Sequence, residues 1–86
     1  MRPTMPIMSW ETGRYRDRAG REHRVRIRQA AKDVWEILDI AGTSMIVIDR
    51  LEGPEENQAT ASAVAADWIT QQRRHAAWGD QDARTA

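Results

Sequence analysis

The chain has 86 residues, 41% of them apolar and 30% charged, a composition that fits one small globular domain and excludes a second. It has no cysteine, so disulfides, thiolate metal sites and cysteine nucleophiles are excluded, and no apolar run approaches the roughly 20 residues that span a bilayer. Thirteen basic and 13 acidic residues cancel, yet residues 1–32 hold nine basic groups against three acids, so that part carries +6 and the remainder −6.

A soluble cytoplasmic protein without membrane contact is the expectation, and a chain this small needs efficient packing or a partner surface. Residues 1–11 read as an N-terminal arm, since Pro3 and Pro6 oppose helix while Ile7, Met8 and Trp10 give it something to bury. Residues 12–79 form the domain, and 80–86 a polar, frayed tail. From Thr12 the pattern is strand, turn, strand. Glu22–Gln29 alternates strictly, with His23, Val25 and Ile27 on one side and Arg24, Arg26 and Arg28 on the other. Gly20 is placed to close a three-residue turn over Arg18-Ala19-Gly20, which sets Tyr15 opposite His23, Arg16 opposite Glu22 and Arg14 opposite Arg24.

The runs Val34–Ile40 and Ser44–Leu51, rich in β-branched residues and separated by Ala41-Gly42-Thr43, form a second hairpin. A short turn between the hairpins pairs Ile27 with Trp35 and Arg26 with Glu36; turn chemistry then sets Ile37 near Met45 and Trp35 near Val47. Gly53-Pro54-Glu55-Glu56 has the features of a helix start, and the spacing of Ala61, Val64, Ala65, Trp68 and Ile69 carries an amphipathic helix from about Pro54 to Ala77, ended by Gly79. The fold class is therefore α+β: a four-stranded antiparallel β-meander of two hairpins with one C-terminal α-helix packed on one face.

One helix covers one side of such a sheet, and the other side is the informative one. It is expected to carry Arg14, Arg16, Arg24, Arg26 and Arg28 on the first hairpin and Val34, Leu38, Ile46 and Ile48 on the second. Three explanations fit so apolar a patch: the arm covers it, it is an interface, or a one-residue slip buries it under the helix. The expected function is a non-catalytic interaction or regulatory module. Val34, Leu38, Ile46 and Ile48 would supply buried area, and Arg24 and Arg26 charge, towards a protein partner or a second copy.

The alternative is a nucleic-acid-binding accessory protein using Arg14, Arg16, Arg24, Arg26 and Arg28 on phosphates, with the like-charged pair Arg14 and Arg24 calling for an external anion. No catalytic motif, metal-ligand spacing or cofactor motif is present. His23 reads as a core-edge histidine and Asp33, Asp39 and Asp49 as strand-end carboxylates, so no enzyme is expected.

Overall fold

The computed structural model describes the backbone of residues 9–85 and the side chains of residues 9–77. Four strands, β1 (Ser9–Arg16), β2 (Glu22–Ala31), β3 (Val34–Ala41) and β4 (Ser44–Glu52), precede one helix, α1 (Gln58–Thr85). The strands form a single antiparallel sheet in the order β1-β2-β3-β4, the expected α+β meander. Strand β1 begins at Ser9, so Trp10 and Glu11, assigned from the sequence to the arm, belong to the sheet.

The first hairpin pairs as its turn chemistry requires. Tyr15 faces His23, Arg16 faces Glu22 and Arg14 faces Arg24, with Gly20 at φ +83°. A bulge between Glu11 and Gly13 then restores Trp10 to the helix side, where it stacks on Trp35 with ring centroids 5.8 Å apart. Between β2 and β3 the register differs from expectation by two residues: Ile27 faces Ile37, and Arg28 rather than Arg26 faces Glu36. An even shift leaves every side chain on its expected face.

The second hairpin departs by an odd shift. Its turn has two residues, Gly42-Thr43, with Gly42 at φ +59°, the position that type II′ turns reserve for glycine. Ile40 therefore faces Met45 and Leu38 faces Val47, while Asp39 faces Ile46. A bulge between Ile37 and Leu38 accommodates Ile48 as the extra residue on β4, after which Trp35 faces Leu51. The expected face is inverted for Met45, Ile46, Val47 and Ile48 alike.

Helix α1 also differs at both ends. Gly53–Glu56 is a turn closed by the Glu56 N–H on the Gly53 carbonyl at 3.1 Å. The helix starts instead after Asn57, whose Oδ1 accepts the Thr60 N–H at 3.1 Å while Thr60 Oγ1 accepts the Asn57 N–H at 2.8 Å, a reciprocal cap. It passes through Gly79 to Thr85. At 28 residues it is about 42 Å long and outruns the strands, which gives a Cα envelope of 58 × 31 × 14 Å. No described helix is long and apolar enough to cross a membrane.

The core lies between the sheet and the first half of α1: Tyr15, Val25, Ile27, Trp35 and Ile37 meet Ala61, Ala65 and Ile69, with Trp10, Ile48, Leu51, Val64 and Trp68 at its margin. Small residues bring the layers close. A Cβ on Gly13 would stand 2.8 Å from Ile69 Cδ1, so β1 and the helix approach closely at this position and a larger residue would make the Ile69 side chain shift. The helix packs on β1, β2 and β3 and leaves β4 at its edge.

Ile37 is fully buried whereas Ile46 on β4 is 59% exposed. Ile37→Ala should lower the unfolding free energy by about 2–5 kcal/mol and Ile46→Ala by under about 1 kcal/mol, read by urea denaturation. Similar losses would mean that β4 is covered.

Candidate functional site

The face opposite the helix is built from rows set by the register. Arg26, Leu38 and Val47 lie side by side across β2, β3 and β4, and Arg24, Ile40 and Met45 form the next row towards the Gly42-Thr43 turn. Val34 and Leu38 are on this face as expected. Ile46 and Ile48 are not: the two-residue turn puts Ile46 opposite Asp39 on the helix side, and the bulge tucks Ile48 against the core margin. Met45 and Val47 take their place. Leu38 is 3% exposed, whereas Met45 and Val47 are 54% and 45% exposed.

Strand β4 is an edge strand, and its first half, Ser44–Ile48, carries no charge and no proline. Met45, Ile46 and Val47 are consecutive, so alternation presents them on both faces of the sheet at once. Natural edges are usually blunted by charge, proline or a covering element. The opposite edge illustrates this. There Arg73 of α1 reaches over β1 and donates from Nη2 to the Arg14 carbonyl at 2.8 Å. On β4 the nearest such device is the Ile48 bulge, followed by Asp49 and Arg50. The arm residues Ile7 and Met8, expected as a cover for the apolar patch, lie outside the described residues.

The five arginines of the first hairpin divide. Arg28 Nε is held by Glu36 at 2.7 Å, and Arg26 donates to the Ser9 hydroxyl and carbonyl at 2.9 and 3.2 Å. Arg14 and Arg24 face each other, but the anion between them is internal. Glu11 lies 3.1 Å from Arg14 Nε and 3.8 Å from Arg24 Nη1, brought onto this face by the bulge at residue 12. The need for an external anion at that pair is thereby removed. Arg16 is the most open, 72% exposed and 3.9 Å from Glu22.

On the helix side a polar cluster is set into the core. Asp39, buried, accepts from the Tyr15 hydroxyl and, at 3.0 Å, from Trp68 Nε1, while its other oxygen lies 2.6 Å from His23 Nδ1. His23 Nε2 meets Asp17 at 2.8 Å, and the Tyr15 and His23 rings stack 4.5 Å apart. Asp17 in turn accepts the Ala19 and Arg21 N–H groups of the first turn. The sequence reading found His23 and Tyr15 together at the core edge but took Asp39 for a strand-end carboxylate. Its partners come from β1, β2 and α1, and the signal available was an acid within the apolar run Val34–Ile40.

Burial works against charge on the His23 ring, but the carboxylates on its two nitrogens outweigh it and hold the pKa above 6.5. The His23 hydrogen bond, with the Arg21 N–H, holds Asp17 below its ordinary 3.8. Burial, then Asp39, pushes the Tyr15 phenol far above its ordinary 10.0. The cluster sets the His23 ring between two carboxyl groups that favour its protonated form, and every buried polar side-chain atom among the described residues is satisfied. Its chemistry is that of a lock joining β1, β2, β3 and α1. No cluster of metal-binding groups occurs among the described residues.

Comparison of the chain with family models, curated proteins and solved structures finds no match.

The clamp fixes the sign of the pH dependence. A raised His23 pKa contributes stability that is complete below about 6.5 and lost as pH rises through the folded value; the depressed Asp17 contributes above 3.8 and is lost on acidification. The melting temperature should fall on the alkaline side of pH 6.5, and His23→Gln should flatten that limb. Parallel curves for the two proteins would show that the ring is uncharged in the fold.

Proposed function

We propose that the protein is a non-catalytic interaction module that binds another polypeptide, or a second copy of itself, along β4 and the adjoining open face. The observation that carries this reading is the half-exposed, uncharged sequence Met45-Ile46-Val47 on a sheet edge that the helix leaves bare. An extended segment added to β4 would satisfy its free backbone groups, the recognition mode of β-strand addition. Specificity would come from alternate side chains. On the open face they meet Ile40, Met45 and Val47, and on the helix side Ile46, whereas Leu38, expected from the sequence to supply area, is already buried within the chain.

Arg24 and Arg26 border this patch from β2 as a polar rim, in the role expected from the sequence, although Arg26 is engaged by Ser9 and Arg24 only loosely by Glu11. Ile46 joins the surface from the other side of the same edge. Ile48 contributes to the core margin instead. The cytoplasmic location expected from the sequence is part of this proposal.

A photo-reactive amino acid placed at Met45 should give a discrete adduct, either of twice the chain mass or with a heavier partner, and unlabelled protein carrying Val47→Lys should fail to compete with it. The same group at Lys32, in the β2–β3 turn, should give none. Equal adduct yields from positions 45 and 32 would refute the reading.

A further inference from the structure

The other end of the sheet carries a feature that the strand interface does not use. β1 and β2 meet in the turn Asp17–Arg21, and α1, running alongside, brings residues 72–76 to the same end of the molecule. On one side of this helical turn an open cleft of about 330 Å³ is lined by Arg14, Tyr15, Arg16, Glu22 and Arg73. On its other side a second cleft, of about 240 Å³, is bordered by Arg18 and His75.

The charges there do not cancel. Four arginines, Arg14, Arg16, Arg18 and Arg73, stand against Asp17, Glu22 and the Glu11 that reaches Arg14, and Asp17 is already occupied by His23 and two backbone N–H groups. Arg14 is shared between Glu11 and Glu22 at 3.1 and 2.9 Å. Arg16 gives one N–H to the Gly20 carbonyl at 3.1 Å and otherwise has only the loose contact with Glu22 at 3.9 Å, and Arg73 gives one N–H to the Arg14 carbonyl at 2.8 Å. Arg18 and Arg73 have no carboxylate within 4 Å among the described residues. A guanidinium has five N–H donors, so Arg16 and Arg73 each keep most of theirs for a ligand. The backbone contacts of Arg16 and Arg73 pre-orient both side chains, which lowers the entropy lost on binding.

We infer that this end of the molecule binds the phosphate backbone of a nucleic acid, with Arg16 and Arg73 as the direct contacts, Arg18 as a third, and Arg14 shaping the field. Planar guanidinium forks match phosphate oxygens two at a time. The clefts are open grooves beside a helical turn, and arginines arriving from strand, turn and helix need a ligand with several anions in succession. No aromatic side chain of the described residues is exposed there for base stacking, so the contact is to the backbone and indifferent to sequence. This differs from the contact expected from the sequence alone. Arg26 and Arg28 are committed to Ser9 and Glu36 and take no part, whereas Arg73, from the other end of the chain, does.

The test is fluorescence anisotropy of a labelled 16-base-pair duplex titrated with the full chain at several salt concentrations. Three phosphate contacts predict a log–log salt slope near −2.7, a loss of about 40-fold in affinity between 50 and 200 mM salt. The double variant Arg16→Gln/Arg73→Gln should reduce the slope by about two units, while Arg50→Gln, a surface change on β4, should leave it unaltered. Both arginines are exposed, so the fold survives their loss, which circular dichroism checks. Competition by inorganic phosphate at millimolar concentration supports the assignment. A salt-independent signal, equal loss with Arg50→Gln, or binding of poly-glutamate as tight as that of the duplex would overturn it. The strand-interface reading survives each of these outcomes, because none involves Met45, Ile46 or Val47.

Discussion

A helix about 10 Å across cannot cover four strands whose outer axes stand about 14 Å apart, and the rest of this structure follows from which strand is left out. The buried Asp39 makes the choice. By accepting Trp68 Nε1 as well as the Tyr15 hydroxyl, and by facing His23, it ties α1 to the β1, β2 and β3 side of the sheet. Gly13 lets the helix settle against β1, and Arg73 caps that edge. With the helix so anchored, β4 lies at its margin, and Ile46, on the helix side of β4, is left 59% exposed.

The same placement sorts the charges. The chain divides into a basic first third and an acidic remainder; Glu36 of the remainder holds Arg28, while Glu11, an acid of the basic part itself, settles between Arg14 and Arg24. On the open face Arg14, Arg24 and Arg28 are thus paired with acids, and Arg26 is held by Ser9. At the other end, where the Asp17–Arg21 turn meets α1, Arg18 and Arg73 have no carboxylate within 4 Å among the described residues. The two proposed contacts, a polypeptide on β4 and a phosphate chain at the basic end, thus fall on separate parts of one thin slab.

Much of this was legible in the residues. Alternation and turn composition located the strands, and the Arg18-Ala19-Gly20 turn set the first register correctly because Gly20 leaves one low-energy closure. The error in the second hairpin came from reading Ala41-Gly42-Thr43 as the turn. Gly42-Thr43 closes it more tightly, so that Met45 faces Ile40 rather than Ile37, and a shift by an odd number of residues exchanges the two faces. Bulges at residues 12 and 48 have no marker in composition, yet they carry Glu11 to the arginines and Ile48 to the core. Likewise, Gly53-Pro54-Glu55-Glu56 imitates a helix start, but the side-chain cap between Asn57 and Thr60 places it. Asp39 was hidden because its partners are distant in sequence.

The account rests on β4 being bare in the isolated chain, and residue-resolved amide hydrogen exchange on a sample of verified monomeric mass tests this most directly. The amides of β2 and β3 should exchange slowest, and Met45, Ile46 and Val47 should include outward-facing amides that exchange nearly as fast as a turn. Protection across all of residues 44–48 equal to that of β3 would mean that another part of the chain already occupies the edge, and the proposed surface would not exist.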